Sequence, residues 1–399
     1  MSQHNGNGKA DADFLSLFLS AAGKSEIPKP FLEWAGVSLV AATLNDHVWY
    51  EKFPGKKLYP QLYVFLLGPS GLGKGEAIDF ALQFIDEDAP LINIWDGKVS
   101  GEGFVDDLAT ISTDVSHEGR PTALLTMPEL AQAIGKGQQA DAFVKRMTGW
   151  YPPPRRRYKE RTRTTGANID MPSPLVNWLV GTTVEWMVDS ITKDAIESGF
   201  FARVFAINCP YNLNNRVPDP TVEEQYPALC KAIRTQLRDI ADLTGSFRLT
   251  KQARAIRHKW YLSRPAPEDT RLLPSWRRQD DLILKLCMVF SAMSGRGDMR
   301  ITSHEITRAQ QYVLRAHHSL PRLLSVAGQT PMTNGLNTVA SFIKIAGRIP
   351  HSPLLKKLAH RGIHAQEASL HLLALMQQRD IECERLKGGA RVYTWAGAN

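Results

Sequence analysis

Tyr63-Val-Phe-Leu-Leu-Gly-Pro-Ser-Gly-Leu-Gly-Lys-Gly75 decides how this chain is read. The apolar run Tyr63 to Leu67 predicts a buried strand, and Glu76 to Glu87 predicts a helix. Strand, Gly-rich turn and helix, in that order, are the setting a phosphate-binding P-loop needs. The glycines let backbone N–H groups close on phosphates, and the helix N-terminus adds a favourable dipole. The expected nucleotide-binding residues are Gly68, Ser70, Gly71, Gly73, Lys74, Gly75 and Glu76, with Lys74 reaching the β- and γ-phosphates. One position departs from the pattern. The Ser or Thr that ordinarily binds Mg²⁺ is Gly75, so hydrolysis needs support from elsewhere in the chain.

The chain has 399 residues, 43% hydrophobic and 22% charged, a globular balance with room for two or three domains. No apolar run approaches the ~20 residues of a membrane span. Met1 to Asp13 is polar and lacks an apolar h-region, so it is expected to be a disordered tail and not a secretory signal. The four cysteines, Cys209, Cys230, Cys287 and Cys383, form no Cys-x-x-Cys pair. That pattern fits a reducing, cytoplasmic compartment with neither a disulfide framework nor a zinc site. Cys287 is expected in the core, and His317, His318, His360 and His364 on helix surfaces. The net charge of +8 suits a nucleic-acid partner.

Apolar strands are expected at Thr122 to Thr126, Leu175 to Thr183 and Val204 to Asn208. Strands of this kind alternating with helices predict an α/β core with a mainly parallel sheet. From Thr250 to Leu324 the pattern turns helical, most clearly over Arg278 to Met293 and His304 to Leu324. Gly328 to Gly335 reads as a linker. Beyond it come three helices and a hairpin signalled by Gly388-Gly389, the make-up of a winged helix. The expected divisions are a tail and short helix over 1–27, a core over 28–249 with a basic insertion at 152–170, a helical lid over 250–328 and the winged helix over 335–399.

Several residues are placed to do chemistry on a bound nucleotide. Glu129 follows the second core strand, where a P-loop ATPase keeps acids that hold Mg²⁺ and polarise water; Pro128 stands where the usual Asp would be. The plainer reading is a carboxylate favoured at a helix start. Thr182 and Thr183 end the third strand and read either as a group that senses the γ-phosphate or orients water, or as a simple strand-end cap. Arg203, in Gly199-Phe-Phe-Ala-Arg203, reads as an arginine finger for a neighbouring subunit or as half of an intrachain ion pair. Arg278, three residues before Asp281, reads as a phosphate sensor acting in its own subunit or as a solvated helix end. Arg155, Arg156, Arg157, Tyr158, Lys159, Arg161 and Arg163 form a basic run inside the core. A hairpin bearing them would track a phosphate backbone, with Tyr158 free to stack; a solvated loop is the alternative. In the last domain the third helix offers Gln366, His371, Gln377 and Gln378, with Lys387 and Arg391 flanking the wing, so DNA and protein partners are both open there.

These residues, over roughly 28 to 325, resemble the P-loop helicase-type proteins of phages, prophages and plasmids, which are frequently fused to primases. The likeness rests on Gly68 to Lys74, Ser100-Gly-Glu-Gly103, the strand ending at Glu129, Gly181-Thr182-Thr183 with Trp186, and Gly199 to Arg203. More distantly, the chain is similar to the minichromosome-maintenance branch of AAA+ ATPases. That resemblance implies a ring, in all expectation a hexamer, with Arg203 as finger, Arg278-x-x-Asp281 as second sensor and the basic hairpin in the channel. It also implies ATP and Mg²⁺ as cofactors, DNA as substrate, replication proteins as partners of the winged helix, and a bacterial or phage-infected cytoplasm. No primase domain is expected before residue 28. The expected function is an ATP-dependent DNA helicase or translocase. A nucleotide-dependent initiator or helicase loader is the rival, and a metabolite kinase would leave the basic run unused.

Overall fold

The computed structural model describes residues 13–86, 91–96, 101–111, 113–134, 138–161, 166, 168–190, 199–210, 216–217, 224–321, 323, 331–386 and 388–396. The expected tail (apart from Asp13), Ser100, Arg163, Lys387 and the linker up to residue 330 lie outside them. The chain divides into two compact units, residues 1–324 and 325–399.

The strands in chain order are β1 (Val48–Phe53), β2 (Lys56–Leu58), β3 (Tyr63–Leu67), β4 (Ile94–Asp96), β5 (Thr122–Met127), β6 (Tyr158–Arg161), β7 (Asn168–Met171), β8 (Leu175–Thr182), β9 (Val204–Asn208), β10 (Gly245–Leu249), β11 (Arg300–Ile301), β12 (Arg348–Pro350), β13 (Ile381–Arg385) and β14 (Arg391–Trp395). The first unit is built on a five-stranded sheet ordered β4-β5-β8-β3-β9. Every pairing in it is parallel. β3, β5 and β8 are buried along their whole length, as central parallel strands covered on both faces must be. This is why they are continuous apolar runs in sequence.

One face of the sheet carries an aromatic cluster. The Trp178 ring lies 5.7 Å from Tyr63, 4.9 Å from Phe65 and 5.5 Å from Phe143, in edge-on geometries. The helix Lys29–Leu44 is buried nearly all round, which is the pattern of an interior helix. Its Trp34 packs against Phe205 of β9 and against Tyr312. Tyr312 sits on the helix Ser303–His317, which pairs with the helix Leu273–Met293.

The helices expected as a lid thus belong to the same compact unit as the sheet. A second sheet, ordered β11-β10-β1-β2, ties them to the segment before β3. β10 and β11 carry no apolar run, and the sequence reading passes over them. Leu273–Met293 starts earlier than expected because Pro274 is accommodated in its first turn. His317, expected on a surface, is 9% exposed, while its neighbour His318 does face solvent.

The second unit holds the helices Pro331–Ala346, His351–Ala359 and Ala365–Gln377 and an antiparallel sheet ordered β12-β14-β13. Val339, Ile343, Leu354, Leu358, Leu372 and Tyr393 form its core. The hairpin lies at the expected glycines, Gly388 and Gly389, both with positive φ. β12 is a third strand that its polar sequence does not announce. Among the described residues no helix is long and apolar enough to cross a membrane.

Candidate functional site

β3 ends at Leu67, and the turn that follows leads into the helix Lys74–Leu82. Gly71 and Gly73 have φ of 76° and 77°, left-handed values that let successive N–H groups point to one side. Pro69, Ser70 and Gly71 are exposed, so the turn is open to solvent. Lys74 is only 5% exposed. Its Nζ donates to the carbonyls of Gly68 at 2.9 Å and Pro69 at 2.6 Å. Burial lowers the pKa of this ammonium, while the carboxylates of Glu129 and Glu185 oppose that shift. The ammonium is therefore held by carbonyls that an arriving phosphate could replace.

β5, the second core strand along the chain, is not the neighbour of β3 in the sheet. β8 lies between them, and Leu67 pairs with Thr182. Glu129 still reaches the turn because the chain leaving β5 crosses the end of β8. A Cβ on Gly181 would lie 2.4 Å from the Pro128 carbonyl oxygen and 3.1 Å from Lys74 Cβ, so only glycine fits there. A Cβ on Gly75 would lie 3.4 Å from Pro128 Cβ. The two departures from the usual P-loop pattern therefore touch each other. Glu129 is half-buried and immediately precedes the short helix Leu130–Ile134.

Thr182 is fully buried, and its carbonyl accepts from the Gly68 N–H at 3.3 Å. Its hydroxyl approaches the Thr183 carbonyl at 3.5 Å. Thr183 Oγ1 accepts from the Trp186 N–H, so it caps the start of the helix Val184–Ser190, whereas the sequence alternative was a cap on the strand end. Glu185, exposed in the first turn of Val184–Ser190, is a functional candidate the sequence reading missed. An acid just past Gly181-Thr182-Thr183 was the available signal. Glu129 and Glu185 are the carboxylates at Lys74, and positions 75 and 128 supply no side-chain oxygen. Among the described residues no group of three or more His, Cys, Asp or Glu could hold a metal ion.

Arg203 and Arg278 lie at the other end of the sheet. Arg203 closes the turn before β9, whose Val204 pairs with Tyr63 at the start of β3. Its Nε donates to the Tyr151 carbonyl at 3.0 Å and its Nη1 to the Gly199 carbonyl at 2.7 Å. Burial and the neighbouring Arg278 bring its pKa down to about 10. Lys285 joins them: it is fully buried, donates to the Gln61 carbonyl at 2.9 Å and lies 3.5 Å over the Tyr151 ring. Burial holds its pKa well below the usual lysine value, with Arg278 and Arg203 acting in the same direction. β3 alone separates this cluster from the glycine-rich turn by about 13 Å. Arg278 therefore does not sit at the phosphate site of its own subunit, as the sensor reading expected. Asp281, expected as its partner, pairs with Lys52.

Of the basic run, Tyr158 to Arg161 form β6, which pairs antiparallel with β7 so that Tyr158 faces Met171 and Arg161 faces Asn168; Arg155, Arg156 and Arg157 precede the strand, and Arg163 lies outside the described residues. Arg157 and Lys159 both pair with Asp170, and their hydrogen bonds lower its pKa. Tyr158 is not free to stack. Its ring packs 5.3 Å from Trp150, and its hydroxyl bonds Glu160 and accepts from Arg146. Arg155, Arg156 and Arg161 are exposed.

In the second unit His371 is 1% exposed, packed where a Cβ on Gly335 would lie 2.1 Å from its Nε2. It is a core residue and not a reader of bases. The exposed face of Ala365–Gln377 bears Gln366, Leu370, Leu373 and Gln377. No protein-family model matches the chain, and no curated protein matches it.

Proposed function

We propose that this protein is an oligomeric AAA+-like P-loop ATPase that binds DNA and translocates along it or unwinds it, in the replication of a phage or other mobile element. The observation that carries the reading is the convergence of Lys74, Glu129 and Thr182 at the carboxyl end of one parallel sheet. Ligands of open α/β sheets bind at that end. ATP would place its phosphates on the N–H groups of residues 68–76, with Lys74 on the β- and γ-oxygens. Glu129 would orient the attacking water. Mg²⁺ would be held by phosphate oxygens, water and Glu129.

Arg203 and Arg278, at the opposite sheet end, would both serve the nucleotide of a neighbouring copy. That requires a closed ring, for which a hexamer is the natural size in this family. The cations of the basic run, Arg155, Arg156, Arg157, Lys159 and Arg161, would follow the DNA backbone in the channel. The second unit, three helices with a three-stranded sheet, is read as a winged helix. Its exposed Leu370 and Leu373 favour a replication-protein partner over a base-reading role. The place of action would be the cytoplasm of a bacterium or an infected host.

ATP turnover measured with and without single-stranded DNA tests the proposal. Turnover that rises with DNA and is lost in Lys74→Ala is expected. Nucleotide binding with no turnover would overturn the motor. The contact of Gly75 with Pro128 specifically favours a second reading, an initiator or helicase loader that binds ATP, assembles on DNA and hydrolyses little. Nucleotide-dependent oligomers that displace no strand would select it.

A further inference from the structure

The turn between β1 and β2 and the start of the basic run are distant in sequence but form two walls of one groove. Its volume is about 620 Å³, and its walls include Phe53, Lys56, Lys57, Tyr59, Arg120 and Arg155. The walls meet at Gly55. That residue has φ of 76°, a left-handed backbone that favours glycine, and a Cβ on it would lie 2.9 Å from Arg155 Nη2, which places the guanidinium tip against the turn.

Charge in the groove is uneven. Glu118 is held by Lys57, Arg120 and the Tyr59 hydroxyl. Arg120 also pairs with the buried Asp46 at 3.4 Å. Lys56 and Arg155 have no acidic partner among the described residues. Phe53 is 55% exposed, with the Lys56 ammonium 5.1 Å from its ring centre. The ring is mostly exposed, with the Lys56 ammonium over one of its faces, and Arg155 lines the same groove.

We propose that this groove binds single-stranded nucleic acid, with phosphates on Lys56 and Arg155 and an unstacked base on Phe53. Cations follow the backbone of any nucleic acid, but among nucleic acids the face of Phe53 away from Lys56 can stack only on a base whose own face is free. A duplex hides those faces. This inference rests on the DNA-binding reading above and adds to it a second wall, outside the hairpin.

Fluorescence anisotropy on the full chain, with labelled oligo-dT and with the matching duplex, tests it. Phe53→Ala is expected to weaken oligo-dT binding about tenfold and leave the duplex unchanged. Lys56→Ala is expected to weaken binding and lower the salt slope by about 0.7 on single strands. Both side chains are exposed, so neither substitution threatens the fold. Unchanged oligo-dT affinity in both variants, while Arg156→Ala weakens it, would overturn the groove and leave the hairpin reading standing. Polyglutamate competing as well as oligo-dT would assign the groove to an acidic peptide and overturn the proposal. A wild-type chain that binds neither oligo-dT nor duplex would overturn the underlying DNA reading itself.

Discussion

Gly75 and Pro128 are in contact across the end of the parallel sheet, with 3.4 Å between the place of a Gly75 Cβ and the Pro128 Cβ. In the usual P-loop ATPase pattern these two positions carry a hydroxyl and a carboxylate for Mg²⁺. Here one is empty and the other is an apolar ring filling the space beside it. The substitutions are therefore coupled sterically as well as chemically.

Restoring one position alone should fail. In Gly75→Thr the added Cβ would meet the Pro128 ring at ordinary van der Waals distance, so the fold is expected to tolerate it, but only one of the two oxygens is restored. Gly75→Thr combined with Pro128→Asp removes the ring and supplies both oxygens. The double variant is expected to raise Mg²⁺-dependent turnover about tenfold or more over the wild type. A magnesium titration of ATP hydrolysis, paired with thermal unfolding of each variant, reads both effects. A double variant no faster than the wild type would remove the metal argument.

Arg203 and Lys74 stand at opposite ends of β3, so each should act in a different active site. Arg203→Ala and Lys74→Ala are each expected to lose hydrolysis, the first by about 10³-fold or more. Arg203→Ala should still bind nucleotide. Mixing the two inactive proteins is expected to regain part of the activity, since one interface then combines an intact Lys74 with an intact Arg203. No recovery after subunit exchange would exclude a shared site.

The cations of the basic run are not equivalent. Arg156 and Arg161 are exposed, whereas Arg157 is engaged by Asp170. Arg156→Ala and Arg161→Ala should each weaken single-strand binding and reduce the salt slope by about 0.7. Arg157→Ala should change the slope less, because its charge is already partly neutralised. Equal slopes for all three would show that the Asp170 pairing does not matter on DNA.

His317 makes stability pH-dependent. Burial holds its pKa at about 4 in the fold, below the ordinary 6.5. The unfolded chain therefore takes up a proton first as pH falls. The stability is fully present above pH 6.5 and is lost progressively towards pH 4, by roughly 3 kcal/mol in all. His317→Leu should abolish that part of the acid dependence. Denaturant unfolding of both proteins across the interval measures the difference, and parallel curves would show that His317 does not titrate this way.

The four long core strands were legible in the residues alone. β3, β5, β8 and β9 fall within a residue of the apolar runs that announced them. Parallel central strands are buried on both faces, so burial writes itself into the chain as continuous apolar sequence. The glycine-rich turn was legible for a similar reason: its left-handed backbone at Gly71 and Gly73 demands a particular residue. β10, β11 and β12 were not legible: β11 and β12 are two- and three-residue strands at sheet edges, and β10 (Gly-Ser-Phe-Arg-Leu) lies inside its sheet but is largely polar, so all three are defined by their hydrogen-bond partners and carry no apolar run.

Neighbour relations were decided only in three dimensions. Parallel strands are joined by long crossovers, so chain order does not give sheet order. That is how β8 comes to lie between β3 and β5, and how Glu129 reaches Lys74 over Gly181. The same folding buries His371 and His317, brings Arg278 to Arg203, and sets Arg155 against Gly55. Residue types and local periodicity encode what a position prefers to be near, water or core. Which distant side chain meets it there is fixed by packing of the whole chain.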